Sequence, residues 1–324
     1  MECLTIMDKI EKIKIFKNEI SKYILGREDT ISKVMVGLFS GGHVLLEDYP
    51  GSGKTTLAKV ISKLISFQDV SEIVPFRRIQ FTPDLLPSDV LGVTVFDPNN
   101  HSFEFHRGPI FANIILADEI NRTGPKVQAA FLECMAEGQV TVDNHTYKLD
   151  DLFFVIGTQN PLDVAGTYPL PTVSLDRFML KIPMSYIDAE TEFKLISKQS
   201  IRGIDFSSIQ PVISKEDILD IIKFSNTVEI SDSILNLIIE IVQQTRIHPA
   251  IQNGASSRAA LMFKSALLSY ALINERSYVI IDDVKDLAES VLLHRLKFKQ
   301  SGVTGGEILN SIVNSAISKN QFKN

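Results

Sequence analysis

Short apolar runs separated by helical patterns occupy residues 43 to 183. The runs read HVLLE (43–47), RRIQF (77–81), NIILA (113–117), LFFVIGT (152–158) and FMLKIPM (178–184). Such continuous apolar runs are typical of strands that helices cover on both faces of a parallel sheet. The pattern therefore predicts an α/β domain with a parallel sheet and flanking helices, which we assign to residues 1–187.

Two stretches inside this domain alternate apolar and polar residues instead. One is VTVFDPNNHSFEFHRG, with Pro98-Asn99-Asn100 near its middle, and the other is QVTVDNHTYKL, with Asp143-Asn144 near its middle. A period of two on both sides of turn-forming residues indicates paired antiparallel strands. We therefore predict two β-hairpins inserted into the α/β domain.

The pattern changes at about residue 188, after which apolar residues recur at helical spacing. The clearest segments are KEDILDIIKFSN, SDSILNLIIEIVQQTR, SSRAALMFKSALLSYALI and IDDVKDLAESVLLHRL. They predict an all-helical second domain over residues 188–300. The remaining tail, residues 301–324, contains three glycines and one weakly amphipathic segment. We expect this tail to be partly mobile or to dock on a neighbour.

Composition restricts the function classes. The 44% hydrophobic content is ample for a buried core, and 33 Lys and Arg against 39 Asp and Glu give a net charge of -6. A chain of this charge lacks the broad positive field of nonspecific nucleic-acid binding, although a local basic strip stays possible. No apolar run reaches membrane-spanning length and the first residues do not resemble a signal peptide, so we predict a cytoplasmic protein without a membrane span.

A phosphate-binding loop is indicated by DYPGSGKTT, residues 48–56, between a strand-like run and a helical pattern. Glycines let several N–H groups point at one phosphate, and the following helix adds the positive end of its dipole. Lys54 would reach the β and γ phosphates of ATP, and Thr55 would hold Mg²⁺. The first position of the usual motif is Asp48 instead of glycine, and the alternative is a surface turn before a helix cap. The predicted loop residues are Pro50, Gly51, Ser52, Gly53, Lys54, Thr55 and Thr56.

Two carboxylates end the apolar run at residues 113–117. Strand alternation sends their side chains in different directions, so they can do different work. We predict that Asp118 supports Mg²⁺ together with Thr55, and that Glu119 polarises the attacking water. An ordinary strand end is the alternative, but the neighbouring phosphate loop favours the catalytic interpretation.

Three long strings resemble the MoxR family: RIQFTPDLLPSD from Arg78, ADEINRTGPKVQAAFLE from Ala117 and GTQNPLDVAGTYPLP from Gly157. The resemblance extends from about Tyr23 to about Lys297. It implies an AAA+ α/β domain with two inserted hairpins and a helical lid. It also implies assembly into rings, commonly hexamers, that bind ATP between subunits.

The resemblance assigns further site residues. Asn160 matches the first sensor, although an Asn before Pro is also a common turn. Arg177 matches the arginine that acts on a neighbour's nucleotide, with a surface arginine paired with Asp176 as the alternative. Arg258 matches the second sensor, which reaches the γ-phosphate from a helix capped by Ser256 or Ser257; without the resemblance it would be a solvated helix residue.

The segment Tyr23 to Arg27 stands where the family packs backbone and apolar atoms around adenine, so the resemblance makes Leu25 and Gly26 candidate nucleotide contacts. Arg122 could face the subunit interface or form a local salt bridge.

Three functions compete. The leading one is a chaperone-like ATPase that remodels or activates a protein client, in this family often one with a von Willebrand A-type domain. The second is a DNA-translocating motor, which the hairpin tips PNNH and DNHT disfavour because neither contains Lys or Arg. The third is a switch that binds ATP but barely hydrolyses it. Against this last function stand the four candidate catalytic residues Glu119, Asn160, Arg177 and Arg258.

Overall fold

The computed structural model describes residues 6–48, 52–67, 73–160, 166–198, 204–299 and 304–321. The helices are α1 (Ile6–Tyr23), α2 (Glu28–Phe39), α3 (Lys54–Lys63), α4 (Pro87–Leu91), α5 (Pro125–Glu137), α6 (Thr172–Leu175), α7 (Ala189–Lys198), α8 (Lys215–Ser225), α9 (Asp232–Ile247), α10 (Ser257–Ile273), α11 (Ile281–Leu292) and α12 (Gly305–Gln321). The strands are β1 (Val44–Asp48), β2 (Ile65–Ser66), β3 (Val74–Gln80), β4 (Gly92–Asp97), β5 (Ser102–Arg107), β6 (Ala112–Asp118), β7 (Gln139–Val142), β8 (His145–Lys148), β9 (Phe154–Gln159), β10 (Leu180–Met184), β11 (Ile213–Ser214), β12 (Ile251–Asn253) and β13 (Lys297–Phe298). Two 3-10 turns cover Ile120–Arg122 and Leu293–Arg295.

A parallel sheet in the order β10-β1-β9-β6-β3 forms the centre of the α/β domain. All seven residues of β6 are buried, as the run at 113–117 predicts. Because the strands are parallel, their carboxyl ends, from Asp48 to Met184, lie along one side of the sheet, here called the carboxyl edge. The opposite side is the amino edge. Ligands of open α/β sheets bind at the carboxyl edge.

Both predicted hairpins are confirmed. Strands β4 and β5 pair antiparallel, and so do β7 and β8. Asp143 and Asn144 have φ angles of 48° and 64°, the left-handed pair that a tight two-residue hairpin turn requires. Phe105 of β5 stacks on Tyr147 of β8 with ring centroids 4.2 Å apart, so the two hairpins contact each other.

Helices dominate the chain after residue 188, as predicted, with only the short strands β11, β12 and β13 among the described residues there. The C-terminal helix α12 packs against α9 and α11 of the same chain. Its buried side chains are Leu309, Ile312, Val313, Ala316 and Ile317. Residues 305–321 are therefore part of the helical body, which differs from the partly mobile or neighbour-docked tail expected from sequence. The apolar residues at spacings of three and four give this helix one buried side.

Across the described ranges, no helix is both long enough and apolar enough to span a bilayer.

Candidate functional site

Helix α3 begins at the carboxyl edge, a few residues after β1 ends. Gly53 caps this helix with a left-handed φ of 91°, a conformation that favours glycine. The backbone N–H groups of the first turn, which contains Lys54, Thr55 and Thr56, have no partner within a helix and form an anion-binding end. Pro50, Gly51 and the side chain of Asp48 lie outside the described residues, and Ser52 immediately precedes the cap.

Asp118 ends β6 opposite this helix and is only 2% exposed. Its Oδ1 accepts a hydrogen bond of 2.7 Å from the Thr158 hydroxyl and lies 3.3 Å from Lys54 Nζ. Burial raises the pKa of the Asp118 carboxyl, but the Thr158 hydroxyl, Arg78 and Lys54 outweigh it and lower the pKa below its usual value. The carboxylate is therefore ionised at neutral pH and is joined directly to the lysine of the predicted phosphate loop.

Arg78 of β3 occupies the other oxygen of Asp118. Its Nε and Nη2 donate to Oδ2 at 3.1 and 2.6 Å, and Nη2 also donates to Gln80 Oε1 at 2.7 Å. Arg78 and Gln80 are two residues apart on a strand, so their side chains share one face of the sheet. This face is the one that Asp118 uses.

Glu119 has a left-handed backbone, with φ 57° and ψ 49°. Such a conformation is strained for a residue other than glycine and is found at functional sites. The Glu119 N–H donates to Thr158 Oγ1 at 2.9 Å, so one hydroxyl bridges both acids. The Glu119 carboxylate accepts a 2.9 Å hydrogen bond from Gln80 and forms an ion pair of 3.2 Å with Arg122. Arg122 thus makes the local salt bridge, one of its two predicted alternatives.

Asn160 directly follows β9, which lies between β1 and β6 in the sheet. It is buried, and its carbonyl accepts a hydrogen bond from the Asn121 side chain at 3.5 Å. Sheet order therefore brings Asn160 to the same edge as Lys54, Asp118 and Glu119.

The loop between α1 and α2 contains Leu25 and Gly26. Gly26 has a φ of 67°, and a Cβ added there would lie 2.7 Å from the Thr191 side chain of α7. The loop therefore lies directly against the first helix of the helical part. Glycine meets both the conformational and the steric demand at this position.

Arg177 does not join these residues. It lies between α6 and β10, and its Nη1 donates to the Val173 carbonyl at 3.2 Å. Asp176 pairs with Arg295 at 2.8 Å, so the alternative pairing of Asp176 with Arg177 is not what the structure shows. Arg177 precedes β10 and therefore lies at the amino edge, whereas Lys54 lies at the carboxyl edge. A strand of five residues separates the two edges by roughly 16 Å.

Arg258 also lies at the amino edge. Ser256 caps α10 by accepting a 3.1 Å hydrogen bond from the Ala259 N–H, which confirms one of the two predicted caps. One turn after Arg258, the Met262 sulfur lies 2.9 Å from Arg295 Nη2, and the same nitrogen donates to the Phe178 carbonyl at 2.7 Å. The exposed Arg258 is therefore grouped with the amino end of β10, away from Lys54 of its own chain.

Arg295 is only 4% exposed and links several segments at the amino edge. Its guanidinium pairs with Asp176 and donates to the carbonyls of Phe178, Met179 and Val291. Burial lowers the pKa of Arg295, Asp176 partly offsets this effect, and nearby Arg258 adds to the lowering. One side chain thus ties α11 and α10 to the segment that contains Arg177.

Replacing Arg295 with methionine should lower the free energy of unfolding by about 3 kcal/mol, because methionine fills similar space but leaves Asp176 and the carbonyls without their donor. Chemical denaturation of the two proteins measures the difference. Lys297→Met is the matched control, since Lys297 is exposed two residues further on. Equal free energies of unfolding for the two variants would show that the contacts of Arg295 do not stabilise the fold.

Sequence reasoning missed three members of the site, namely Arg78, Gln80 and Thr158. Arg78 and Gln80 stand in a string that resembles the MoxR family, yet they received no role. A signal was available, because two polar residues at spacing two near the end of a predicted strand share a face. Thr158 lies two residues before Asn160 and carries the same signal.

The acid and hydroxyl groups suit a magnesium ion. Mg²⁺ prefers oxygen ligands, keeps several waters and usually takes one or two carboxylates plus substrate phosphates. Asp118 offers an ionised carboxylate next to Lys54, and Thr55 adds a hydroxyl in the adjacent helix turn. Among the residues that the structure describes, no group of three or more His, Cys, Asp or Glu side chains could form an all-protein metal cage.

Comparisons with known proteins agree with this arrangement. Residues 43–180 match the model of the ATPase family associated with various cellular activities (AAA), and residues 243–312 match the AAA lid domain. A crystal structure of a candidate ATPase from Cytophaga hutchinsonii superposes with a TM-score of 0.86 at 38% identity, covering 95% of each chain.

Two relatives extend over most of the chain. "Uncharacterized protein YeaC" of Bacillus subtilis is 44% identical over 91% of both chains. Chaperone MoxR1 of Mycobacterium tuberculosis is 34% identical over 86% of this chain and 74% of its own length. The parallel sheet, the lid match and the acid pair beside the phosphate loop all fit this relationship. The chain therefore belongs to the MoxR family of AAA+ ATPases.

Proposed function

We propose that the carboxyl edge binds ATP with Mg²⁺ and hydrolyses it through Lys54, Asp118 and Glu119. The observation that carries this proposal is the contact network at Asp118. A buried, ionised carboxylate lies 3.3 Å from the lysine of the phosphate loop and shares the Thr158 hydroxyl with Glu119. Lys54 thus contacts the proposed metal ligand Asp118 directly, and the Thr158 hydroxyl links Asp118 to the proposed base Glu119.

The nucleotide would lie along the end of α3. Ser52, Gly53, Lys54 and Thr56 would hold the phosphates through backbone N–H groups and one ammonium, with Pro50 and Gly51 completing the loop. Thr55 and Asp118 would hold Mg²⁺, which supplies positive charge to the phosphates. Leu25 and Gly26 would contact adenine where the α1–α2 loop meets α7.

Glu119 would accept the proton of the attacking water, and Asn160 would orient that water from the end of β9. The hydrogen bond that Gln80 donates to the Glu119 carboxylate, and the one that the Glu119 N–H donates to Thr158 Oγ1, hold Glu119 at the edge where the γ-phosphate would lie.

Completion of the site requires a second subunit. Arg177 and Arg258 lie at the amino edge, roughly one strand length from the chain's own phosphate loop. In a ring, commonly a hexamer in this family, the amino edge of one subunit would meet the carboxyl edge of the next. Both arginines would then stabilise negative charge on the neighbour's nucleotide.

The work of this ATPase would be chaperone-like remodelling or activation of a protein client. Chaperone MoxR1 is a relative over most of this chain. A von Willebrand A-type client rests on the family resemblance alone. The turns of both hairpins contain no Lys or Arg, which disfavours a DNA motor. The genes that flank this one would narrow the choice of client, because an adjacent gene for a von Willebrand A-type protein would favour the chaperone-like function.

Lys54→Ala tests the nucleotide site. The variant should bind ATP at least about tenfold more weakly, because it removes charge-assisted hydrogen bonds to the phosphates. Titration with a fluorescent ATP analogue gives the affinity.

Lys63→Ala is the matched control for this change, since Lys63 is the exposed last residue of the same helix. It should leave the affinity unchanged. Equal affinities of Lys54→Ala and wild type would mean that the phosphates bind elsewhere.

A further inference from the structure

The carboxylate of Asp118 is surrounded by three hydrogen bonds and one ion pair from the protein. Its Oδ1 faces the Thr158 hydroxyl at 2.7 Å and Lys54 Nζ at 3.3 Å. Its Oδ2 accepts from Arg78 Nε at 3.1 Å and from Arg78 Nη2 at 2.6 Å. An ionised carboxylate offers about four acceptor sites, and hydrogen bonds take three of them while the Lys54 ammonium lies beside Oδ1. A magnesium ion, or a water of its shell, would therefore compete with these groups for the carboxylate oxygens.

The donors differ in how easily they leave. Thr158 is fully buried and also holds the Glu119 backbone, so its movement would disturb both acids. The Lys54 side chain is 16% exposed, whereas the Arg78 side chain is 47% exposed. Arg78 therefore loses least by moving, because water can solvate its guanidinium as it leaves Asp118. It is also a cation, which Mg²⁺ would repel from a shared carboxylate.

We propose that Arg78 is an internal counter-cation of Asp118, which Mg²⁺ displaces when the metal and nucleotide bind. This proposal rests on the proposed role of Asp118 in holding Mg²⁺. Arg78 neutralises the negative charge of the buried Asp118 carboxylate until Mg²⁺ replaces it. The arginine thereby sets the magnesium concentration at which nucleotide binding becomes tight, because the metal must compete with it.

The displacement also reaches the candidate base. Arg78 Nη2 donates to Gln80 Oε1 at 2.7 Å, and Gln80 Nε2 donates to Glu119 Oε2 at 2.9 Å. The chain of contacts Asp118, Arg78, Gln80 and Glu119 therefore joins the two acids across the face of β3. When Arg78 leaves Asp118, Gln80 loses the partner that orients it. Its bond to Glu119 would then weaken, and the ion pair with Arg122 at 3.2 Å would be the contact that still holds the Glu119 carboxylate.

Arg78→Gln tests the competition with a readout that does not depend on hydrolysis. Glutamine keeps a polar side chain but removes the charge. The affinity for a fluorescent ATP analogue is measured in Mg²⁺ and in EDTA, and the quantity of interest is the ratio of the two affinities. We expect Arg78→Gln to raise this ratio roughly tenfold, the equivalent of one charge-assisted hydrogen bond. The Mg²⁺ concentration at which the affinity for the ATP analogue reaches half of its maximal increase should also fall.

Two further variants keep the test specific. Arg77→Gln makes the same change on the opposite face of β3 and should leave the ratio at the wild-type value. Arg78→Lys keeps the charge and should return the ratio toward wild type. Thermal unfolding of each variant shows whether it is folded. If Arg78→Gln does not fold, the affinity ratio of Arg78→Lys is compared with that of wild type instead.

The outcomes separate this proposal from the one it rests on. If wild-type affinity depends on Mg²⁺ but Arg78→Gln leaves the ratio within twofold, the counter-cation role alone is overturned. Equal weakening of both affinities would overturn it too, since Arg78 would then bind phosphate directly. If wild-type affinity does not respond to Mg²⁺ at all, the metal role of Asp118 fails first and the counter-cation role fails with it.

Discussion

Replacing Glu119 with glutamine should lower the rate of ATP hydrolysis by roughly a hundredfold or more while ATP affinity stays near wild type. The amide keeps the size and polarity of the carboxylate, and its oxygen can still accept the hydrogen bond that Gln80 donates at 2.9 Å. It cannot accept the proton of the attacking water. Binding and turnover should therefore separate, in contrast to Lys54→Ala, which is expected to weaken binding itself.

Phosphate release and nucleotide affinity, measured on the same preparation, check this result. Glu133→Gln is the matched control, since Glu133 lies on the exposed side of α5 and makes the same change of charge. Turnover of Glu119→Gln within a few-fold of wild type would remove Glu119 from the role of base. The Glu119 backbone, strained at φ 57°, would then require a different explanation.

Continuous apolar runs predicted the central sheet well because its inner strands are buried on both faces. The run at 113–117 lies within β6, which is buried along its whole length. The sequence was less informative at β3, where RRIQF predicts only the second half of Val74–Gln80. This strand forms one end of the sheet, and most of its residues are partly or fully exposed. An edge strand buries little, so its hydrophobic pattern is weak.

The site was predictable where its chemistry is local and unpredictable where it depends on packing. The phosphate loop and the acid pair are contiguous motifs, and strand order then brings Asn160 beside them. The contact of Arg78 with Asp118 joins residues 40 positions apart, and Arg295 reaches Asp176 across 119 positions. No pattern along the chain encodes such distances. Contacts between residues far apart in sequence also place Arg258 at the amino edge, near the segment of Arg177, and away from Lys54.

Arg177→Ala should bind ATP almost normally yet hydrolyse it about a thousandfold more slowly, because an arginine supplied by a neighbour matters mainly in the transition state. The amino edge, where Arg177 lies, is roughly a strand length from the chain's own phosphate loop. From this position we expect its charge to act on the nucleotide of the neighbouring subunit, as proposed. Phosphate release and ATP affinity measure the separation, at a protein concentration at which light scattering shows rings in the presence of ATP.

Mixing Arg177→Ala with Glu119→Gln tests the boundary itself. A subunit with intact Glu119 can then face a neighbour with intact Arg177, which neither parent alone allows. With equal amounts and random assembly, roughly one quarter of the interfaces regain both groups. Activity should rise well above both parents and stay below wild type. The double mutant Glu119→Gln/Arg177→Ala is the control, because mixing it with either parent restores no complete interface. If mixed rings form and activity remains at the parental level, Arg177 does not act on the neighbouring subunit's nucleotide, and its hydrogen bond to the Val173 carbonyl would point to a local structural role.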